Sequence, residues 1–381
     1  MKVVAAPNAL KGSLSARDAA FAIAQGARRA SKEIEVVLLP VADGGDGTLD
    51  VLLGYLVGEA REVEVRDPLG RALRARYGLV DGARCAIIDV ATASGLARLR
   101  DSERDPLRAS SFGTGELMLA ALESGCERIV LGLGGSATVD GGLGLLAALG
   151  SPGLDAAGQP VPPGGAGLAA LARFDTRVAA ERLRGCELSC LCDVETRLTG
   201  PDGARLYAAQ KGANPASETV LAAGLERLAD VLSAHAGHDV RALVSGGAAG
   251  GIAASLSALL GARLIPGIDF LLDVVGFEKQ LSGAELVITA EGRLDRQSAF
   301  NKGPFGVARR ARAAGVPTLV LAGSIADDLE LETTLFASAL AIGREALARS
   351  EAEPRAAEWL AATSEHALRL FLLARDASRR P

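Results

Sequence analysis

The chain opens on short apolar runs that alternate with segments of helical period, and that alternation narrows its fold more than any other feature. "KVVAAP" (2–7) reads as a strand. "SLSARDAAFAIAQGARRA" (13–30) reads as a helix, with Ser15 as N-cap and Asp18 three residues on. Its apolar face runs Ala16, Ala20, Ile23, Ala27, Ala30. "EVVLLPV" is a second strand and "TLDVLLGYL" a second helix, with Thr48 as its expected cap. Strand, helix, strand, helix implies a parallel sheet covered on both faces.

The rhythm changes near residue 61. "REVEVRDPLGRALRARYGLVDGARCAIIDV" alternates at period two, with a "DPLG" turn and an Asp-Gly hairpin signal, and predicts an antiparallel meander. Helix and strand patterns resume in "TGELMLAALESG", "ERIVLGLG" and "GCELSCLCDV", and Gly150 to Gly167 reads as a long loop. From about residue 268 the first rhythm returns in "FLLDVVGFEKQL", "AELVITAEG", "KGPFGVARRARAAG", "TLVLAGSI" and "ALAIG". A chain of 381 residues exceeds what one core usually serves. The expected fold is therefore α/β with two domains. A Rossmann-like or flavodoxin-like parallel-sheet domain forms from both chain ends, 1–66 plus 268–381. An inserted mixed α/β domain, 67–267, carries the meander, and the active site is expected in the cleft between them.

Composition excludes several classes. Aromatics are 3%, the net charge is −5, and Lys and Arg form no stripe, so nucleic acid is not the expected partner. No apolar run reaches about 18 residues and the first residues turn polar quickly, so no membrane contact and a cytoplasmic location are expected. Five cysteines suggest free thiols, and "CELSCLC" reads as a buried strand in preference to a metal site. His235 and His238 read as a solvated helix end. His366 reads as a packing residue in an amphipathic C-terminal helix with Trp359, Leu370 and Leu373.

The chemistry concentrates in glycine-rich loops that follow strands. "VADGGDGT" sets Asp43 and Asp46 among Gly44, Gly45 and Gly47, and two acids that close need a shared cation or proton. "VLGLGGSATVDGGLG" holds Gly134, Gly135, Ser136 and Asp140. "VSGGAAGGIAAS" holds Gly246, Gly247 and Gly250. "ITAEGRLDRQSAFNKGP" holds Glu291, Arg293, Asp295 and Lys302 ahead of a helix begun by Pro304. In open α/β sheets, ligands gather beyond the carboxyl ends of the strands. Glycines there let backbone amides reach phosphate. Without thiol or imidazole clusters, the acids point to Mg²⁺. Phosphate-holding glycines, metal-holding acids and lysines together describe phosphoryl transfer. No Walker A motif is present. "GLGGSA" (132–137) matches a relaxed dinucleotide fingerprint, which keeps an NAD(P)-dependent oxidoreductase of a small hydroxy acid as the alternative, although the following "TVDGG" interrupts it.

The blocks "APNALKGSLSA", "PVADGGDGT", "RDPL", "GTGEL", "GLGGSATVDGG", "CDV", "QKGA", "GAAGG", "EGRLDRQS" and "LAGS" occur in order along nearly the whole chain. In them the sequence resembles the bacterial glycerate kinase family of the glycerate 2-kinase type. The resemblance implies ATP- and Mg²⁺-dependent phosphorylation of D-glycerate, giving 2-phosphoglycerate in preference to 3-phosphoglycerate. Mapped on this chain, it implies catalytic roles for Asp193, Lys11 and Asp43, and substrate contacts from Ser13, Arg293, Lys211 and Asp295. Phosphate contacts are expected from Gly134, Gly135, Ser136, Gly246, Gly247, Gly250 and Lys302, and metal contacts from Asp43, Asp46, Asp140 and Glu291. Arg293 or Lys211 would anchor the glycerate carboxylate. Asp193 would accept the proton of the attacking hydroxyl or hold the metal. The partners are then a small acid and a nucleotide, with a homodimer left open.

The chain departs from the family in places. Asn8 stands where the family usually has Asp, Ala290 and Asn301 replace glycines, "CDVETRL" lacks an Asn-Pro, and "YAAQKGA" lacks a Gly-Pro. A non-catalytic small-acid binder is the third reading that these departures keep open.

Overall fold

The computed structural model describes residues 1–295, 303–327, 335–343 and 349–378. By internal contact the chain forms two units, Met1–Asp43 with Ile268–Pro381, and Gly44–Gly267.

The first unit is built on a five-stranded parallel sheet. Its strands lie in the order Ser338–Ala341, Thr318–Ile325, Ala284–Leu294, Lys2–Ala5, Glu35–Leu38. Numbered along the chain within this unit, that is the doubly wound order 2-1-3-4-5, the flavodoxin-like arrangement. The central strand explains its own sequence: Val3, Val4 and Ala5 have no exposed surface, as a strand covered on both faces requires. The helix Ala16–Ala30 starts where Ser15 accepts the Asp18 N–H. Its apolar face joins Ile23 and Ala27 to Trp359, Leu360 and Leu368 of the helix Ala356–Ser378. Gly26 permits that approach, since a Cβ there would lie 2.2 Å from the Ala361 carbonyl oxygen. His366 departs from its expected packing role. It is exposed, as are Leu370 and Leu373, because the buried face of the helix runs through Leu360, Ala361, Ser364 and Leu368 instead.

The second unit is a six-stranded mixed sheet in the order Arg263–Pro266, Glu187–Cys192, Arg128–Gly132, Cys85–Asp89, Ala72–Val80, Gly58–Arg66. The first four strands run parallel and the last three form the antiparallel meander. The "DPLG" turn closes with Gly70 N–H donating to Asp67 C=O at 3.0 Å. Gly58–Arg66 pairs with Ala72–Val80 along its full length. That pairing ties residues 44–66 to the middle of the chain, whereas the expected division at residue 66 gave them to the chain ends. Thr48 also differs from expectation. Gly47, at φ +92°, is the N-cap, and Thr48 lies inside the helix Thr48–Leu53 with its hydroxyl on the Gly45 carbonyl.

Cys190 and Cys192 lie buried in their strand, and all five thiols are free. Among the described residues no three His, Cys, Asp or Glu side chains gather around a point that could hold a metal, and no helix is long and apolar enough to cross a membrane. His235 and His238 are exposed at the end of the helix Pro215–Ala236.

Candidate active site

In the second unit, four parallel strands deliver their carboxyl ends to one edge of the sheet, at Asp89, Gly132, Cys192 and Pro266. The Gly44–Gly45 segment crosses that edge at backbone distance. Gly134 N–H donates to Gly44 C=O at 2.9 Å. A Cβ on Gly134 would lie 2.5 Å from Gly45 Cα and 3.1 Å from an Asp193 carboxylate oxygen. A Cβ on Gly44, whose φ is +91°, would lie 2.8 Å from the Leu191 carbonyl oxygen. These glycines are therefore fixed by chain-to-chain packing. The packing sets Asp193 beside Gly134, and Asp46 beside Gly135.

Lys211 belongs to the same cluster. Its ammonium donates to Ser136 Oγ at 3.0 Å and to Thr138 C=O at 2.8 Å, and the side chain is buried. Burial pulls its pKa down to about 8, against the pull of the Asp140 and Asp193 charges. An ammonium has three donors, so one N–H remains for a ligand beyond the two bonds described.

Asp140 does not fit the metal role expected of it. One oxygen accepts Ser111 N–H, Ser111 O–H and Gly144 N–H at 2.8, 2.8 and 3.2 Å; the other accepts Gly142 N–H at 3.0 Å. It is an internal anchor of the loop. Burial raises its pKa and these bonds oppose the rise. Gly134, Gly246 and Gly247 do not fit the role of phosphate donors. The Gly134 amide is held by Gly44, and Gly246 and Gly247 donate to Leu243 C=O at 3.0 Å and Thr196 C=O at 2.9 Å. Gly250, at φ +65°, packs so closely on Thr138 that a Cβ would sit 2.2 Å from its carbonyl oxygen. Of the phosphate set in this unit, Gly135 and Ser136 stay beside Asp46 and Lys211.

The oxidoreductase geometry is absent as well. After the strand Arg128–Gly132 the chain runs to Gly142 before the helix Leu143–Ala148 begins, so "GLGGSA" opens no helix on which a pyrophosphate could rest.

In the first unit, Asp43 is buried and its Oδ2 accepts from the Asn8 side-chain amide at 2.9 Å and from Gly303 N–H at 3.3 Å. Asp46 is exposed. The two acids of "ADGGDG" thus differ in burial, Asp43 being enclosed and Asp46 exposed. A cavity of about 590 Å³ lies beyond the carboxyl ends of this unit's own parallel strands, among them Lys2–Ala5 and Ala284–Leu294. Lys11, Ser13, Glu291, Arg293 and Asp295 line it, so the structure gathers five of the expected site residues there. Ser13 donates its hydroxyl to Leu10 C=O, and Arg293 lies 3.4 Å from Asp295 in an ion pair. Lys302 and the Asn301 departure lie outside the described residues.

Two features escaped the sequence reading. Asp89, 2% exposed, ends the strand Cys85–Asp89 and accepts Leu49 N–H at 3.1 Å. Its other oxygen is buried and has no partner among the described residues. Desolvation raises its pKa to about 7, helped by the charges of Asp46 and Asp50 and opposed by the backbone amides of Leu49 and Gly47. The acid that closes the apolar run "CAIID" was its available signal. The other feature is the apolar wall of the cavity, from Ile342, Ala356 and Trp359, which no local motif marks.

The comparisons agree with this architecture. A model of the glycerate kinase family matches residues 3–372. A glycerate kinase of Bacillus subtilis is 43% identical over 329 residues, 86% of this chain and 86% of that protein. The glycerate 2-kinase of Escherichia coli is 41% identical over 330 residues, 86% of this chain and 87% of that protein. The crystal structure of a candidate glycerate kinase 2 from Salmonella typhimurium LT2 is 39% identical and superposes with a TM-score of 0.81 over 99% of both chains. Identity at this level over nearly the full length, in a chain whose strand-end loops carry the family's blocks, has one meaning: the chain belongs to the glycerate kinase family.

Proposed function

We propose that the protein transfers the γ-phosphoryl group of ATP to D-glycerate, with Mg²⁺, and yields 2-phosphoglycerate. The observation that carries this reading is that a buried ammonium, Lys211, and a half-buried carboxylate, Asp193, belong to one sheet edge, where the charge of Asp193 acts to raise the Lys211 pKa. Lys211 has a donor to spare and no route to full hydration, which suits it to the carboxylate of a small acid. Asp193 takes the proton of the substrate hydroxyl. That oxygen then bonds to the γ-phosphorus as the bridging P–O bond breaks, and ADP leaves with the bonding electrons.

The donor set fits magnesium, since every acid present offers oxygen and the ion needs only one or two carboxylates beside the phosphates. Asp46 and Asp193, both at the sheet edge of the second unit, are the side chains that would hold it, and bound there it would neutralise phosphate charge. The fully engaged Asp140 is not among them.

Phosphorus NMR of a reaction with ATP, Mg²⁺ and D-glycerate tests the reading, with 2-phosphoglycerate expected. No phosphorylated acid would overturn it, and 3-phosphoglycerate would correct the position. Asp193→Asn should lower kcat by about 10²- to 10⁴-fold, the usual range for a general base, with an unchanged melting temperature. Near-normal turnover in that variant would remove Asp193 from the mechanism.

A further inference from the structure

Three thiols of the second unit sit at the amino ends of its parallel strands, the sheet edge opposite the loops of Asp46 and Asp193. Cys126 lies in the turn between the helix Phe112–Glu123 and the strand Arg128–Gly132, and Cys186 between the helix Arg177–Arg182 and the strand Glu187–Cys192. Cys85 opens the strand Cys85–Asp89. Backbone bonds gather the three. Glu127 N–H donates to Arg84 C=O at 2.8 Å, and Glu187 N–H to Glu127 C=O at 2.9 Å. Each residue so joined is the chain neighbour of a cysteine.

The register gives the span between two of them. Arg128 pairs with Glu187, so one step back along the ladder Cys186 faces Glu127 and stands diagonal to Cys126. Adjacent strands lie about 4.8 Å apart and one residue rises about 3.3 Å, so a diagonal neighbour stands at about 6 Å, inside the Cα range that a disulfide bridges. Both side chains turn to the same side of the sheet: Cys126 belongs to the buried core of the unit and Cys186 packs against it. The two are hydrogen-bond partners. They are not equivalent. The Cys126 thiol, as donor, lowers the pKa of Cys186 against its partial burial, while the same bond and burial raise Cys126. Cys186 is half-buried, whereas the other four thiols are buried, and burial raises the pKa of Cys85, Cys190 and Cys192. Cys186 is thus the thiol suited to hold a thiolate within reach of a small oxidant.

We propose that Cys126 and Cys186 form an oxidisable dithiol, in which a hydroperoxide reacts at Cys186, Cys126 resolves the product, and the disulfide staples the strands Arg128–Gly132 and Glu187–Cys192. The Cys186 thiolate attacks one peroxide oxygen. The S–O bond forms, the O–O bond breaks, and the leaving oxygen takes a proton to become water or, from an organic peroxide, an alcohol. The Cys126 sulfur then bonds to the Cys186 sulfur as the S–O bond breaks, and the hydroxyl leaves as water with the Cys126 proton. The two thiols lose two electrons and the peroxide gains them. Capture at the sulfenic stage spares Cys186 from oxidation to the sulfinic acid. The bridge closes a long loop in the unfolded chain and so favours the folded state. The inference is independent of the phosphoryl-transfer reading.

The reduced full-length protein is treated with hydrogen peroxide and digested under non-reducing conditions. Mass spectrometry should find a Cys126–Cys186 peptide, and thermal melts should show a midpoint raised by about 4 °C or more and restored by dithiothreitol. In Cys126→Ser the same treatment should carry Cys186 to the sulfinic acid with no rise in the midpoint. Mapping on the parent chain needs no variant, so the test stands even where Cys126→Ser does not fold. A parent chain in which Cys186 goes to the sulfinic acid, bridges to Cys85 or to a second copy, or stays reduced overturns the proposal. So does a Cys126–Cys186 bridge that leaves the midpoint unchanged or lowers it.

Discussion

An amide nitrogen 2.9 Å from a buried carboxylate oxygen gives Asn8 a reason to differ from its family's usual Asp. The amide donates where a second carboxylate would repel. Asn8→Asp therefore puts two acids in contact, beside a Gly303 N–H that can serve only one of them well. At neutral pH the variant should lose about 1–3 kcal/mol. Near pH 4 the loss should shrink, because the pair can then share a proton. Thermal melts at both pH values check this, and equal stability of variant and parent near pH 8 would refute it. Lys211 carries a different pH signature. Its folded pKa, about 8, lies below the ordinary 10.5, so between those values the folded protein binds fewer protons than the unfolded chain. Its contribution to stability thus rises with pH across that window, while its charge is lost. KM for D-glycerate should climb above about pH 8 with no fall in melting temperature. Lys211→Met should raise it by roughly 10- to 100-fold at pH 7, the worth of a hydrogen bond to a charged group, and the difference from the parent should shrink above about pH 8. An unchanged KM in that variant would move the carboxylate anchor elsewhere.

At the scale of elements, the strand ends decide where chemistry can sit, and Asp89 shows what such a position costs. Its folded pKa, about 7, exceeds the ordinary 3.8, so the folded state holds the extra proton between those values. Stability from this group is full below about pH 4 and falls as pH rises toward 7. Asp89→Asn keeps an oxygen for the Leu49 N–H and removes the charge. Urea titrations at pH 5 and pH 8 should show a shallower loss in the variant, which should exceed the parent at pH 8 by on the order of a few kcal/mol. Parallel losses would refute this. The elements themselves were largely legible. Ser15 caps its helix as read, because a cap is a local event. The meander was legible from its period of two. Thr48 was misplaced because Gly47 reaches a left-handed conformation that composition does not reveal. The bond between Lys211 and Ser136 spans 75 residues, so no window of sequence contains it. The glycines read as phosphate donors could not be told from glycines that let one loop lie against another, since both uses need the same missing Cβ.

At the scale of the whole molecule, the two units differ in how they depend on the chain. All six strands of the second sheet fall within residues 44–267, so that segment carries a complete hydrophobic core of its own. The first sheet is completed only when the chain ends meet, and the Thr289 hydroxyl reaches the Ala6 carbonyl across 283 residues. A fragment of residues 268–381 would lack the strand Lys2–Ala5 and the helix Ala16–Ala30. The strand Ala284–Leu294, still paired with Thr318–Ile325, would then expose its other edge, and the apolar face of the helix Ala356–Ser378 would lose its cover. Residues 44–267 expressed alone should therefore melt cooperatively, whereas residues 268–381 alone should show no cooperative transition until residues 1–43 are supplied. The reading of a nested fold requires that asymmetry. A cooperative melt of 268–381 by itself would mean that the first unit does not need the amino-terminal strand, and the dependence argued here on long-range parallel pairing would be wrong.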